Sequence, residues 1–507
     1  MRILLVVPTH GYKGGGVPLS ASDFPAGLAY IASSLKEAGH EVTGLNLNNI
    51  KGFRTPYLMM ANNVQRALED DYDLIGLGGL CIDYSFIKDC MQVIRRYTDT
   101  PIVLGGRIVS QDAEFIFNNL KPDYAIQGEG EETMVALADY LDKDEPCPIH
   151  NMWWWEGGIP QYGGANYDYR ELDDRPFPDY EVFGLSRMVE NNSMDTRILY
   201  RYPRTDPRPM IITTARACPF NCSFCIHQGG PKYRARSVEN IMAEIKELYD
   251  LYKFNILIVG DELFAVNKKR MTEFCEALID KKKELGWDFD WMFQTHANSK
   301  LDLATLKLAK ESGCYFFSYG IESAAPAVLE SMNKKTSPKQ FVEAADLAKE
   351  VGIGFGGNLI FGDPAETEET INESLSFWAK YGGGNQIFIS NLQPYPGCKI
   401  FDFCEENGLI PNKEEYYEHI GEITYNMTQI PHDAFLQWMN FFGILERSWL
   451  TVESTVGEVS LNGQYHKIST VCPHCGEDNL YKEPWEVKPT FLGTGCQHCN
   501  RRIKVML

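Results

Sequence analysis

The sequence has no apolar run of about 18 residues, the length that a membrane-spanning helix needs. We also expect no secretory leader, because the apolar stretch at residues 3–7 is short and leads directly into Thr9 and His10. Basic residues are outnumbered: 48 Lys and Arg stand against 69 Asp and Glu, for a formal net charge of −21. Such acidity disfavours a broad contact with a nucleic-acid backbone, although it permits a local basic patch. We therefore expect a cytoplasmic protein with no membrane or nucleic-acid partner.

A dinucleotide-binding fingerprint is missing as well. Residues 1–140 alternate short apolar strands with helical stretches, which predicts a doubly wound, Rossmann-like parallel sheet in an α/β fold. The turn after the first strand reads Pro-Thr-His-Gly rather than G-x-G-x-x-G, and no acidic residue follows at the expected distance. Ligands bind such sheets at the carboxyl ends of the strands, so the candidate loops are 8–16, 78–83, 105–110 and 127–131.

Cysteine, by contrast, is plentiful, and half of it is clustered. The chain has 14 cysteines, and seven of them lie in two tight groups. In a chain without a leader, this distribution favours metal ligation in a reducing compartment over disulfide bonds.

The first group is Cys218, Cys222 and Cys225, in a C-x-x-x-C-x-x-C spacing. Thiolates hold iron–sulfur clusters, and three of them leave one iron of a [4Fe–4S] cluster free to bind a small molecule. Zinc would need a fourth ligand, for which only His227 is near in sequence. Three ordinary buried or free thiols are the remaining alternative.

These residues resemble the signature of the radical SAM (S-adenosylmethionine) superfamily. Thr214 and Arg216 flank the motif, and Phe224 precedes its last cysteine, as in that family. The resemblance implies that the open iron binds the amino and carboxylate groups of S-adenosylmethionine and that a 5′-deoxyadenosyl radical is released. It also implies that Phe224 packs near the adenine and that a donor such as a flavodoxin or ferredoxin supplies the electron.

The first 140 residues resemble the cobalamin-binding domain that precedes many radical SAM domains. The matching segments are residues 24–32, 38–42, 105–106 and 128–131. The D-x-H-x-x-G motif of histidine-ligated cobalamin proteins is absent, which implies that no histidine of that motif lies beneath the cobalt. By analogy of loop position with that family, Leu80, Cys81 or Ile82 is expected there. An unoccupied, vestigial domain is the alternative. The resemblance implies cobalamin contacts from the residues at the strand ends: Thr9, His10, Gly79, Leu80, Cys81, Gly105, Gly106, Gly128 and Glu129.

Residues 141–208 are rich in Pro, Gly and aromatics and are expected to be a linker, with a packing strand at residues 153–155. Residues 209–405 resume the strand–helix alternation six times, which predicts a partial (β/α)6 barrel with its chemistry at the carboxyl ends of the strands. By resemblance to the radical SAM family, the residues expected to contact S-adenosylmethionine there are Asp261, Gln294, Glu322 and Asn358.

The tail carries the second cysteine group. Residues 406–470 are expected to form a helical region near the substrate, and residues 471–507 a zinc ribbon. Two C-x-x-C knuckles, 20 residues apart, can supply four tetrahedral thiolates to a structural zinc ion. A second iron–sulfur centre and four free thiols are the alternatives. The expected ligands are Cys472, Cys475, Cys496 and Cys499.

The two main blocks together resemble the cobalamin-dependent (class B) radical SAM methyltransferases. The resemblance implies methylation of an unactivated carbon through a 5′-deoxyadenosyl radical and methylcobalamin. Because a ribbon could dock a polypeptide, a peptide or protein substrate is expected. A cobalamin-dependent radical SAM cyclase or rearrangement enzyme is an alternative, as is a non-catalytic cobalamin sensor. A methylthiotransferase acting on RNA would need three further cluster cysteines, and Cys81, Cys90 and Cys147 do not match that family's pattern.

Overall fold

The computed structural model describes residues 1–9, 12, 22–48, 50, 53–143, 147, 150–191, 194, 200, 202–226, 232–447, 451–452, 455–459, 465–484 and 491–506. His10, an expected cobalamin contact, and His227, the possible zinc ligand, lie outside these ranges. The chain divides into two compact units. The first comprises Met1–Met188, Ile226–Arg234 and Pro394–Ile423; the second comprises Val189–Cys225, Ala235–Gln393 and Thr424–Leu507. Within the described ranges, no helix is long and apolar enough to cross a membrane.

The first unit is built on a seven-stranded sheet in the order β2-β1-β3-β4-β5-β6-β7. Strands β1 to β5 run parallel, and β3 is buried at every position, as expected for a central strand covered on both faces. The expected doubly wound α/β fold is confirmed. The strands are β1 (Arg2–Val7), β2 (Glu41–Asn46), β3 (Leu74–Gly78), β4 (Ile102–Gly105), β5 (Tyr124–Ile126), β6 (Met152–Glu156) and β7 (Ile159–Tyr162). The helices are α1 (Ala26–Glu37), α2 (Pro56–Ala67), α3 (Tyr84–Ile94), α4 (Arg107–Leu120), α5 (Glu131–Lys143) and α6 (Leu185–Glu190).

Strands β6 and β7 extend this sheet with residues that the sequence assigned to a linker. Strand β6 pairs antiparallel with β5, so that Trp153 lies opposite Ala125. The rings of Trp153 and Trp155 pack on Phe117, with centroids 5.9 and 4.6 Å away. Burial of these indole rings accounts for the added strands, because aromatic side chains contribute large apolar area.

The second unit contains a six-stranded parallel sheet in the order β15-β14-β13-β12-β11-β8, which is the chain order of a partial (β/α)6 barrel. Local residues cap its helices: Ser337 forms a capping box, Asp302 caps another helix through its side chain, and Gly352 ends a helix in the left-handed region. The strands are β8 (Pro209–Ile212), β9 (Ala215–Arg216), β10 (Arg234–Ala235), β11 (Ile256–Val259), β12 (Asp290–Thr295), β13 (Cys314–Glu322), β14 (Gly354–Phe361) and β15 (Gln386–Asn391). The helices are α7 (Val238–Tyr252), α8 (Lys268–Leu285), α9 (Leu303–Glu311), α10 (Pro326–Ser331), α11 (Pro338–Val351) and α12 (Glu368–Tyr381).

After β15 the chain returns to the first unit with α13 (Lys399–Glu406) and α14 (Lys413–Glu418). Tyr417 lies in the core of that unit: its ring packs on Tyr84 and Phe115, and its hydroxyl donates to Asp112 at 3.0 Å. Lys413 forms an ion pair with the same carboxylate at 2.8 Å. The segment Pro394–Ile423 therefore belongs to the first unit, whereas the sequence placed the domain boundary at residue 405.

The tail belongs to the second unit. Its strands pack at the amino ends of the barrel strands, whereas its helix stacks Phe442 on Phe361 at the carboxyl end of β14. It contains α15 (His432–Arg447), β16 (Thr451–Val452), β17 (Thr455–Val459), β18 (Tyr465–Val471), β19 (Asp478–Pro484), β20 (Phe491–Gly495) and β21 (Arg502–Met506). Ile468, Tyr481 and Ile503 share one apolar cluster with Ile256 and Met292 of the barrel. Gly354, the first residue of β14, has no room for a side chain, since an added Cβ would lie 2.6 Å from the carbonyl oxygen of Asn500.

The four tail cysteines converge as the two-knuckle spacing predicts. Their sulfur atoms lie within 4.8 Å of one another, with 3.6 Å between Cys475 and Cys496 and 3.8 Å between Cys472 and Cys499. Four sulfurs about 2.3 Å from a zinc ion would be about 3.8 Å apart in a tetrahedron, so the site fits zinc. Hydrogen bonds from the Cys499 thiol and the nearby backbone N–H groups lower the pKa of Cys496, which favours the thiolate form.

We predict one tightly bound zinc ion per chain and its loss in Cys472→Ser. Because a structural zinc site contributes folding free energy directly, the variant should also unfold at a lower temperature. Elemental analysis and thermal unfolding measure the two effects. Cys147→Ser, at a half-buried cysteine outside both groups, should retain zinc and the original unfolding temperature. A tail that holds iron instead of zinc would show that the ribbon assignment is wrong.

Candidate functional site

The loop that follows β8 carries the first cysteine group, and a buried carboxylate fixes where that loop begins. Asp261, after β11, accepts hydrogen bonds from the backbone N–H of Thr214 at 2.5 Å and of Ala215 at 3.0 Å, and from the Thr214 hydroxyl. Burial raises the pKa of Asp261, and these hydrogen bonds oppose the rise. Arg270 donates to the Thr214 hydroxyl from the other side, at 3.0 Å. Both oxygens of Asp261 are thus engaged by the cluster loop.

Gln294, on β12, helps to hold Asp261 in place. Its side-chain Nε2 donates to the backbone carbonyl of Asp261 at 3.1 Å. The sequence expectation placed both residues against S-adenosylmethionine. In the structure, the side chain of Asp261 is turned toward the protein backbone, because the buried N–H groups at the start of the loop need an acceptor.

The three cysteines of the first group follow on one short loop. Cys222 is buried, and Cys218 and Cys225 are half-buried. The backbone N–H of Ser223 donates to the carbonyl of Met332 at 2.9 Å, which ties the loop to the end of α10. Burial raises the pKa of all three thiols, to about 12 for Cys225, and Lys334 acts in the opposite direction. Ligation as thiolates would therefore release protons and draw on a nearby positive charge.

A buried ion pair lies beside these cysteines. Glu322, at the end of β13, pairs with the Nζ of Lys334 at 2.8 Å, and their side chains are only 7% and 8% exposed. Burial alone would lower the pKa of Lys334, but the Glu322 carboxylate and Cys222 outweigh it and raise the pKa. The Lys334 ammonium lies 5.9 Å from the centroid of the Phe224 ring. Gly320 leaves room for the pair, since an added Cβ would lie 2.7 Å from Lys334 Nζ.

Sequence reasoning identified Glu322 and missed Lys334. Lys334 lies in a turn beside another lysine, Lys335, and nothing in the local pattern separates the two. Burial separates them, and it arises only when α10 and the cysteine loop pack together. The Oε2 atom of Glu322 is buried and has no hydrogen-bond partner in the part of the chain that the structure describes. The pair thus has an acceptor left for a ligand.

Asn358 lies on β14 at the level of these groups. It pairs in register with Gly320, and its side chain is exposed. Ser390 is exposed on the neighbouring strand β15, where it pairs with Ile360. Two exposed polar side chains on adjacent strands offer hydrogen bonds to a small molecule.

Phe220 and His296 form a stacked pair next to the cysteine loop. The ring centroids are 3.8 Å apart and the planes differ by 16°. Burial and the neighbouring Lys334 lower the pKa of His296 to about 4. The imidazole is therefore neutral at physiological pH.

The residues expected to contact cobalamin lie at the strand ends of the first unit. Gly106 has a φ of 82°, and an added Cβ there would lie 2.8 Å from the backbone N and O of Gly79. At Gly128, with a φ of 88°, an added Cβ would lie 2.6 Å from the hydroxyl of Tyr169. These three glycines let neighbouring loops approach one another closely. Gly105 differs, because an added Cβ would meet only a carbonyl oxygen at 3.9 Å.

Of the three residues expected beneath the cobalt, the structure excludes Cys81. Its side chain is 3% exposed and belongs to the apolar core, and burial raises its pKa to about 12. Leu80 and Ile82 are instead 44% and 52% exposed at the end of β3. The short helical turn Cys81–Asp83 explains the difference, because it turns Cys81 inward and leaves Leu80 and Ile82 facing outward.

Thr9 and Glu129 complete the strand-end set. Thr9 is buried, and within the described ranges its hydroxyl oxygen has no hydrogen-bond partner. Glu129 is also buried, and it forms ion pairs with Arg175 at 3.1 Å and with Arg234. The Glu129 carboxylate thus ties protein segments together. An exposed apolar pair, an open glycine and a buried hydroxyl suit the flat, largely apolar ring of a cobalamin with polar groups at its rim.

Two protein-family models match two separate segments of the chain. Residues 22–138 match the B12 binding domain family, and residues 212–377 match the Radical SAM superfamily. An uncharacterized methyltransferase of Pyrococcus horikoshii is 27% identical over 416 residues, covering 81% of this chain and 84% of the relative. The anaerobic magnesium-protoporphyrin IX monomethyl ester cyclase of Cereibacter sphaeroides is also 27% identical, over 388 residues, covering 74% of this chain and 59% of the cyclase.

A solved structure shares the fold. The radical S-adenosylmethionine methyltransferase TsrM of Kitasatospora setae, with cobalamin and a [4Fe–4S] cluster bound, superposes with a TM-score of 0.62 at 16% identity. The match covers 80% of this chain and 75% of TsrM. The two family matches, the cysteine loop and the strand-end residues agree with one another. The chain therefore combines a B12 binding domain with a radical SAM domain, and it is similar to the cobalamin-dependent radical SAM methyltransferases.

Proposed function

We propose that this protein methylates an unactivated carbon atom, using a [4Fe–4S] cluster, S-adenosylmethionine and cobalamin. The observation that carries the proposal is the buried Glu322–Lys334 pair beside Cys218, Cys222 and Cys225, in a chain that also contains a B12-binding fold. When bound, S-adenosylmethionine on the cluster supplies a radical that removes hydrogen from carbon, and cobalamin supplies the methyl group.

Cys218, Cys222 and Cys225 would hold the cluster through three of its irons. Glu322 and Lys334 would hold the amino-acid end of S-adenosylmethionine, which carries an ammonium and a carboxylate. The unpartnered oxygen of Glu322 can accept from the ammonium, and Lys334 can pair with the carboxylate. Phe224 lies beside Lys334 and offers a ring face for the adenine.

Leu80 and Ile82 would lie against the cobalamin ring, and the hydroxyl of Thr9 would bind a polar group at its rim. Neither aliphatic side chain can ligate cobalt. Glu129, Gly79, Gly106 and Gly128 would act by shaping the surrounding loops.

Asn358 on β14 would contact S-adenosylmethionine, as expected from the sequence, and we assign the exposed Ser390 on the neighbouring strand β15 to substrate binding. The zinc ribbon packs at the amino ends of the barrel strands, and the cysteine loop lies at their carboxyl ends. The ribbon therefore gives no support for docking a peptide near the reacting atoms. A peptide substrate stays a prediction, to be tested against small molecules.

A radical SAM cyclase is the second candidate, because the Cereibacter sphaeroides relative is named as one. It differs in its product, since cyclisation leaves the number of methyl groups unchanged.

The product experiment separates these candidates. The protein, with cluster and cobalamin, is incubated with S-adenosylmethionine that carries a deuterated methyl group and a reductant. Protein-free metabolites and a tryptic peptide mixture serve as separate substrate pools, and mass spectrometry locates the label. We expect 5′-deoxyadenosine, S-adenosylhomocysteine and methylated product in a one-to-one-to-one ratio. Methylated product without 5′-deoxyadenosine would indicate polar methylation, and an unlabelled product would indicate the cyclase.

The cysteine assignment makes a prediction about iron. Anaerobic reconstitution should load about four irons per chain, in addition to zinc. Replacing Cys218, Cys222 and Cys225 together with alanine should remove this iron and the reductive cleavage of S-adenosylmethionine, while the zinc remains. Cleavage that survives the triple substitution would disprove the assignment.

The assigned roles of Glu322 and Asp261 can be told apart. Glu322→Gln should weaken S-adenosylmethionine binding about tenfold or more, because a charge-assisted hydrogen bond contributes about 1.5–3 kcal/mol. Equilibrium dialysis with the cluster-loaded protein measures this. Since Glu322→Gln leaves Lys334 buried without its partner, the double variant with Lys334→Met serves as a second test in which both charges are absent.

Asp261→Asn is the matched comparison. An amide cannot replace both acceptor oxygens, so we expect less iron retained and lower stability. The fraction that keeps its cluster should bind S-adenosylmethionine with unchanged affinity. Equal loss of affinity in the Asp261 and Glu322 variants would contradict the separation of roles.

A further inference from the structure

His296 is fixed in one orientation next to the cysteine loop. It follows β12, and its ring stacks on Phe220, which lies between Cys218 and Cys222 in the sequence. With the centroids 3.8 Å apart and the planes 16° from parallel, the imidazole lies face to face with a ring of the cysteine loop. The imidazole cannot rotate without losing this stacking contact.

The hydrogen bonds of His296 determine which ring nitrogen carries the proton. Its Nδ1 accepts from the backbone N–H of Asn298 at 3.2 Å, in the cap of the short turn Ala297–Ser299. A nitrogen that accepts a backbone N–H has no proton of its own, so in the neutral ring the proton is on Nε2. His296 therefore presents an N–H donor at its other edge.

That donor has no acceptor in the described protein. His296 is only 7% exposed, and its Nε2 atom has no hydrogen-bond partner within the described ranges. A buried donor without an acceptor costs about 1–3 kcal/mol, so such groups call for a ligand or another explanation. The Lys334 ammonium lies 5.9 Å from the ring of Phe224 in the cysteine loop, and its charge acts on both His296 and the Cys222 thiol.

We propose that the Nε2–H of His296 donates a hydrogen bond to a sulfur atom of the iron–sulfur cluster held by Cys218, Cys222 and Cys225. The proposal rests on the cluster assignment in the proposed function. Cluster sulfides and cysteine thiolates are anionic acceptors, and the ring is stacked on the loop that carries the ligands. Hydrogen bonds to the sulfurs stabilise the reduced, more negative cluster and raise its reduction potential. His296 would thus make the cluster easier to reduce by its electron donor.

Two substitutions separate the donor from the stacked ring. His296→Phe keeps an aromatic ring for Phe220 and removes the N–H. His296→Gln loses the ring but keeps an N–H at about the reach of Nε2. The midpoint potential of the cluster is measured by redox titration followed by EPR, without S-adenosylmethionine. We expect a lower potential in His296→Phe and a potential near that of the unsubstituted protein in His296→Gln.

A spectroscopic measurement tests the same contact in the unsubstituted protein. After labelling with 15N-histidine, pulsed EPR of the reduced cluster should detect a weak nitrogen coupling that is absent in His296→Gln. This readout does not depend on whether the phenylalanine variant assembles a cluster.

Three results would overturn the inference. The first is an unchanged midpoint potential of the cluster in His296→Phe. This result would count against the inference even if the variant bound S-adenosylmethionine more weakly. The second is an equal decrease of the potential in both variants, which would indicate a structural role of the ring. The third is the absence of a nitrogen coupling. Failure of the unsubstituted protein to assemble a four-iron cluster would instead refute the proposed function, so the two failures are distinguishable.

Discussion

The barrel site depends on one buried carboxylate. Asp261 gathers the backbone N–H groups of Thr214 and Ala215 at the point where β8 ends and the cysteine loop begins. Without an acceptor there, two buried donors would be left unsatisfied in the interior of the unit. The loop is fixed at its other end by the hydrogen bond between Ser223 and Met332. Hydrogen bonds thus fix the short loop that carries all three thiols, as a shared cluster would require.

Backbone strain accompanies this arrangement. Ala217, just before the first cysteine, has a φ of 67°, and Glu322 has a φ of 66°. Residues other than glycine, asparagine and aspartate seldom adopt this left-handed region, and each such residue costs about 1–3 kcal/mol, which the packing around it must offset. Both lie next to the groups assigned to the cofactors. The strain directs a ligand-bearing loop and a carboxylate toward the same place.

Features that depend on residues close together in the sequence could be predicted. The cysteine spacings and the strand–helix alternation each depend on a few neighbouring residues, and the structure contains the predicted sheets and the tail cysteine group. Features that arise only from packing were not predictable: the burial of Lys334, the inward turn of Cys81 and the unpartnered nitrogen of His296. Asp261 shows the same limit, because its position at a strand end was clear and the direction of its side chain was not.

The return of the chain to the first unit has a consequence for synthesis. Tyr417 completes the core of that unit, yet it is made more than two hundred residues after the last strand of the sheet, β7. When the first 188 residues have left the ribosome, the surfaces of Tyr84 and Phe115 that Tyr417 covers are still exposed to water. An apolar surface of the nascent first unit therefore stays exposed until the whole barrel has been translated. The order of translation thus makes completion of the B12-binding unit depend on a segment that follows the barrel's last strand.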